Sequence, residues 1–198
     1  MHALILMLSV TMLLAFTLDG SSLVVEPNHS TIAFTVPISN GLTTITGKFT
    51  DFTIDLELPD DDLTHARIRA VIQTASVNTG IPSRDADLLT ADFFETEKYP
   101  TITFTSDSIT GAEPGYTAHG RFTMHGVERS MALPFRVTGR DGESTIGFEA
   151  HTHVLRSDHG VGITFKHTED DGFIGNLIGV DIWFWTKAKK SVTRNANE

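Results

Sequence analysis

Apolar side chains fall at every second position through most of this chain, and a period of two belongs to strands. In "STIAFTVP", Ile32, Phe34 and Val36 share one face while Thr31, Ala33 and Thr35 share the other. "ARIRAVIQT" sets Ile68, Ala70 and Ile72 against Arg67, Arg69 and Gln73, and "TITFTS" sets Ile102 and Phe104 against Thr101, Thr103 and Thr105. The same alternation collects Tyr116, Ala118, Phe122 and Met124, then Met131, Leu133, Phe135 and Val137. Further on it collects Ile146, Phe148 and Ala150, then Val180, Ile182 and Phe184. A strand with one apolar face must bury that face, so the chain is expected to be all-β around a single interior.

The segment "TTITGKFTDFTIDLEL" changes phase: Ile45, Gly47 and Phe49 keep odd positions, whereas Phe52, Ile54, Leu56 and Leu58 keep even ones. A bulge or corner near Asp51 reconciles the two sets and bends a long strand around a barrel. Breaks rich in Gly, Pro and Asp ("PDDDL", "TGAEPG", "MHGVE", "GRDGE") separate the strands. Returns this short make antiparallel hairpins and not parallel crossovers. Seven to nine strands in one domain leave a sandwich or a closed barrel, and alternation alone does not choose.

The 198-residue chain opens on "MHALILMLSVTMLLAFTL", about the length of a signal-peptide core and short for a membrane span. Gly20 and Ser22 form a small-x-small cleavage signature, so residues 1–22 are expected to be removed and residues 23–198 to form the exported, periplasmic or secreted domain. An uncleaved anchor over residues 3–18 is the alternative, because no Lys or Arg precedes the apolar run. The formal charge of −10 argues against nucleic acid or anionic lipid headgroups as main partners. Only the tail "TKAKKSVTRNANE" is locally basic, which fits a solvated terminus. The absence of cysteine excludes disulfides, thiolate metal sites, thiol catalysis, covalent c-type haem and lipoprotein acylation.

No Gly-x-Ser-x-Gly elbow, His-Glu-x-x-His, phosphate loop or dinucleotide glycine pattern occurs, and no enzymatic activity is expected. Nine histidines raise the question of metal. His151 and His153 lie two apart, on one face of a strand, with Asp158 and His159 following. Two imidazoles are not a site, so the expectation is no metal, with His151 and His153 as the only candidates. His29 is read as a turn residue beside Asn28 and Ser30, and His119 and His125 as ordinary surface or turn residues.

One stretch interrupts the strands. "TGIPSRDADLLTADFFETEKYPTITF" (79–104) crowds Arg84, Asp85, Asp87 and Asp92 before Phe93 and Phe94. Taken with "VEPNHSTIAFTV" (25–36), "GKFTDFTIDL" (47–56), "HGRFTMHGVERSMALPF" (119–135) and "LRSDHGVGI" (155–163), it makes the chain resemble the YceI-like family of exported lipid-binding proteins. The resemblance covers nearly all of residues 23–198. One departure is Asp87, which stands where the family pattern Arg-Asp-x-His-Leu carries histidine.

The resemblance implies an extended, lipocalin-like antiparallel barrel of about eight strands with a short helical insertion near residues 84–95. Its apolar lumen is expected to hold a polyisoprenoid, isoprenoid quinone or fatty amphiphile, with no other cofactor and no catalysis. Ser83 is placed as helix cap and Asp85 in the first turn, with Phe93 and Phe94 turned inward to plug or floor the lumen. Tyr99-Pro100 returns the chain to extended geometry. Phe34, Val36, Phe49, Phe52, Ile68, Ile72, Phe104, Phe122 and Phe135 are the expected lining. Arg84, Asp85, Arg156 and Asp158 are expected to act as loop clamps or to meet a headgroup at the mouth. The alternatives are a periplasmic metal-binding protein using His151 and His153, or a structural module whose core is filled by its own side chains. Transient membrane contact and either a monomer or a homodimer fit this reading.

Overall fold

The computed structural model describes residues 21–142, 144–166 and 172–188. The residues expected as leader, the basic tail beyond Ala188 and part of the 161–179 connection lie outside these. Alternation becomes strand throughout: β1 (Ser21–Val25), β2 (Thr31–Ile38), β3 (Thr43–Phe49), β4 (Phe52–Leu58), β5 (Arg67–Gln73) and the two-residue β6 (Val77–Asn78) precede one helix, α1 (Pro82–Leu89). β7 (Thr101–Ala112), β8 (Gly115–Met124), β9 (Val127–Asp141), β10 (Thr145–Leu155) and β11 (Leu177–Ala188) follow.

The sandwich-or-barrel question is decided by β11. It pairs with β10 on one side and with both β1 and β2 on the other, which joins the two ends of the sheet. β1 and β2 are one strand interrupted by a 3-10 turn at Pro27–His29, where the Glu26 side chain accepts from the Asn28 N–H. β3 and β4 are likewise one strand bent at Thr50–Asp51, since β2 pairs with β3 while β1 pairs with β4. Counted this way, eight antiparallel strands close the barrel.

The phase slip near Asp51 is therefore a corner. The turn at Thr74–Ser76 braces it: Thr50 N–H donates to the Ser76 carbonyl at 3.1 Å, Asp51 N–H to the Ser76 hydroxyl at 3.0 Å, and Gln73 N–H to the Asp51 carbonyl at 2.9 Å. Backbone groups that leave the ladder at the bend thus keep partners.

The strand directions make the two barrel ends different. The connections β4–β5, β7–β8 and β9–β10 lie at one end, and there the interior is filled. Leu63, buried in the β4–β5 connection, packs with Leu23, Leu58, Ala118 and Ile146, and Tyr116 stacks on Phe135 with 5.4 Å between ring centres. Buried hydroxyls in the wall are satisfied: Ser106 Oγ accepts from Ile68 N–H at 2.8 Å, and Thr186 Oγ1 accepts from Ile146 N–H at 3.1 Å. The β2–β3 and β8–β9 turns gather at the opposite end, where residues 74–100 and the described parts of the β10–β11 connection form the lid.

The helix departs from expectation at its start. It begins at Pro82, with Ile81 in the capping position and no side-chain cap from Ser83. Proline at the first helical position has no N–H to satisfy and a dihedral already suited to a helix, so the chain turns one residue earlier.

β7 carries a bulge at Asp107, opposite Gly120 of β8. A Cβ on Gly120 would overlap the Thr105 carbonyl and the Ser106 backbone. Gly120→Ala is expected to destabilise the barrel by about 1–3 kcal/mol, read as a lower urea midpoint with an unchanged m-value.

Candidate ligand-binding lumen

Between the filled floor and the lid the barrel is hollow. The cavity measures about 430 Å³ and is walled almost entirely by carbon. Its deep end meets Leu56, Leu63, Phe135 and Phe148, and its middle is ringed by Ile54, Ile68, Ile72, Ile102, Phe104, Phe122 and Ile182. The space exists because several inward positions are small, among them Ala70 and Ala150. Gly47 has a related part: it pairs with Phe34 across β2–β3, and the Phe34 ring lies where a Cβ on Gly47 would stand. A side chain there would push that ring into the lumen.

Of the expected lining residues, Phe34, Val36, Phe49, Ile68, Ile72, Phe93, Phe94, Phe104, Phe122 and Phe135 reach the cavity. Phe52 does not. It is half-buried beside the corner, where it packs against the cluster around Phe49 and Ile54 without touching the open space. Alternation identifies its face correctly but cannot tell that the strand bends away at its first residue.

The lid is two chain segments that meet. Phe93 packs against Phe165 at 5.0 Å, Phe94 against Phe49 at 6.1 Å, and the Thr164 hydroxyl donates to Asp92 at 3.4 Å. Phe93 and Phe94 therefore cover the lumen's lid end, opposite its floor. Asp85 reaches back from the helix to accept from the Thr79 N–H at 2.8 Å and the Thr79 hydroxyl at 2.5 Å. Arg84 borders the cavity and donates to the Thr79 hydroxyl at 2.7 Å and the Thr79 carbonyl at 3.0 Å, and among the described residues no carboxylate lies within ion-pair distance. Arg84 thus clamps the loop through Thr79.

Arg156 holds the other segment. Its guanidinium donates to four carbonyls, those of Val161, Gly162, Ile174 and Gly175, at 2.8–3.1 Å. Burial pulls its pKa below the ordinary guanidinium value, but the carbonyl cage still favours the charged form. Asp158 lies outside the cavity, half-buried, with its carboxylate 3.9 Å from Arg129.

The fold is shared with known proteins. Residues 23–184 match the YceI-like domain. The chain belongs to the YceI-like family. A UPF0312 protein of Yersinia enterocolitica is 29% identical over 140 residues, covering 69% of this chain and 72% of its own length. Burkholderia cenocepacia BcnA superposes with a TM-score of 0.72 at 19% identity, over 81% of this chain and 98% of its own. A polyisoprenoid-binding domain from Saccharophagus degradans gives 0.67 at 16% identity, over 85% of this chain and 99% of its own. The YceI protein of Campylobacter jejuni gives 0.63 at 25% identity, over 75% and 87%. The lipocalin-like barrel expected from the resemblance is the fold observed.

The histidines of this YceI-like chain divide differently from the sequence expectation. His151 and His153 are exposed on the outer wall of β10, away from the lumen. His151 is engaged by Asp181 at 2.6 Å and packs edge-on against Trp183. Among the described residues no group of three metal-ligating side chains is brought together.

His125 lies in the β8–β9 turn, one of the two places expected for it, but it is not an ordinary turn residue. It is not a surface residue: its imidazole is enclosed by Tyr99, at 4.5 Å between ring centres, and donates from Nδ1 to the His159 carbonyl at 2.9 Å. Nε2 is buried with no hydrogen-bond partner among the described residues, 3.7 Å from the Glu95 carboxylate. His159 is 3% exposed and donates to the Val127 carbonyl at 3.1 Å. The pair ties the β8–β9 turn to both lid segments. The only sequence signal was the His-Gly dipeptide at a tight turn, where His125 and Gly126 both take positive φ.

Replacing Arg156 by Lys leaves three tetrahedral donors for four carbonyls. Arg156→Lys is expected to cost about 1–3 kcal/mol, whereas Asp158→Asn changes stability by less than about 0.5 kcal/mol. Urea denaturation of the two variants beside the parent checks the contrast.

Proposed function

We propose that this protein binds a long-chain apolar molecule in the barrel lumen and sequesters or carries it without catalysis. The observation that carries the reading is the cavity: about 430 Å³, floored, lidded and lined by carbon. Ligand pockets fall in a range of about 300–1,000 Å³, whereas packed interiors leave voids hardly larger than a water. An empty apolar space of this size forfeits dispersion contacts on every wall, and a hydrocarbon tail restores them. Each buried methylene contributes about 0.8 kcal/mol, so a dozen carbons bind firmly with no specific polar contact.

The ligand class in this reading is a polyisoprenoid, an isoprenoid quinone or a fatty amphiphile. The polyisoprenoid-binding domain from Saccharophagus degradans, which shares the fold, supports that class. Lining chemistry supports it as well, since polar atoms at the cavity belong to the lid (Thr79, Arg84, Asp87, Arg156) and to two wall threonines. A tail pointing toward Leu63 leaves its polar end among the lid groups. The reading includes export of the domain through the apolar opening of the chain and a transient encounter with membrane lipid. Metal binding at His151 and His153 is not favoured, because among the described residues no third ligand is brought to them.

Native mass spectrometry of protein purified without added lipid tests this. An extractable mass of several hundred daltons is expected. Ala70→Trp fills the lumen from β5 and is expected to leave the fold intact while at least halving the retained ligand. Replacing His151 and His153 together by Ala is expected to retain it. A parent protein with no extractable mass, or full retention in Ala70→Trp, overturns the reading.

A further inference from the structure

We propose that the lid end of the barrel is a docking surface for a lipid bilayer, a proposal that rests on the lumen as the ligand site. Among the described residues the large apolar side chains left exposed are seven, and five of them, Leu42, Ile81, Leu155, Ile163 and Leu177, lie at this one end. They come from separate segments: the β2–β3 turn, the start of α1, the last residue of β10, the β10–β11 connection and the first residue of β11. The other two, Trp183 and Trp185, sit on the outer wall and pack against His151 and His29. Single exposed apolar residues need no explanation, but a set collected around one opening does.

Leu42 is the most exposed, at 86%, on a turn whose residues Ser39, Asn40 and Gly41 all take positive φ. That turn conformation suits small polar residues, and nothing in the barrel's packing calls for leucine next to it. Ile163 is 60% exposed beside Gly162, on the segment that Arg156 holds in place. Leu155 and Leu177 are cross-strand partners that extend the apolar rim onto the outer wall. None of the five lines the cavity. They stand outside it, around the lid.

A bilayer is the occupant this arrangement fits. The rim continues the apolar character of the lumen outward, so a tail leaving a membrane passes from lipid to rim to lumen without crossing water. The barrel's described ends, Ser21 and Ala188, lie at the filled end, opposite the rim. Charge sets the kind of surface. The described lid segments carry Asp85, Asp87, Asp92, Glu95, Glu97 and Asp158 against Arg84, Lys98, Arg156 and Lys166, and the whole chain is at −10. Adhesion is therefore apolar, with no preference for anionic lipid and little response to salt.

The test uses ligand-retaining full chain with phosphatidylcholine vesicles, with and without anionic lipid, at low and high salt. The parent protein is expected to co-sediment with neutral vesicles, with affinity unchanged by salt to within about twofold. Leu42→Asp combined with Ile163→Asp is expected to weaken binding about tenfold or more, with circular dichroism and retained ligand mass unchanged. Equal vesicle binding by parent and variant, or none by the parent, overturns the proposal. So does concentration-dependent dimerisation of the parent that the variant abolishes without vesicle binding, which makes the rim a contact between two copies. Binding that requires anionic lipid and collapses in salt overturns it too. An empty lumen by native mass spectrometry fails the ligand reading alone, and rim-dependent co-sedimentation in that preparation still supports the docking face.

Discussion

Closure of the sheet is the constraint on which everything else depends. Once β11 hydrogen-bonds to β1 and β2 as well as to β10, the number of strands sets the barrel's width. Inward side chains can then fill that width or leave it open, but they cannot draw the walls together. At the floor they fill it, with Leu63 as the plug and the Tyr116–Phe135 stack beside it. Nearer the lid, Ala70, Ala150 and Gly47 are too small to do so. The cavity is what a closed eight-stranded wall leaves when part of its inner face is built from short residues.

The lid follows from the same constraint. A closed barrel has no sheet edge to extend, so a cover must come from connections. Here two long connections supply it, and each is held through backbone groups: Asp85 and Arg84 on Thr79, Arg156 on four carbonyls, His125 and His159 on carbonyls of neighbouring segments. Buried or half-buried charges that bind carbonyls fix a loop's path more than they add stability. The lid is thus well defined in shape while its apolar residues, Phe93, Phe94 and Phe165, supply the surface that faces the lumen.

Much of this was readable before the structure. Alternation gave the inner face of nearly every strand, the phase slip at Asp51 marked the corner, and Tyr99-Pro100 marked the return to β7. Closure was not readable, since pairing between β1 and β11 is non-local and leaves no period in the chain. Phe52 was misplaced because a face is a local property and the bend beside it is not. Pro82 starts the helix before Ser83 and leaves Ile81 in the capping position, and the enclosure of His125 within its turn was not legible because burial of a turn depends on what packs above it. The exposed rim was overlooked for the same reason: Leu42, Ile163 and Leu177 are far apart in sequence and meet only at one end of the barrel.

The account's central claim is that the inward residues enclose more space than they occupy, and that a foreign hydrocarbon occupies the remainder. A high-resolution electron-density map of protein purified without added lipid tests it most directly. Continuous elongated density that belongs to no residue, bounded by Phe104, Phe122 and Ile182, is the result expected. A map in which those side chains meet across the barrel axis, with no room between them, contradicts it.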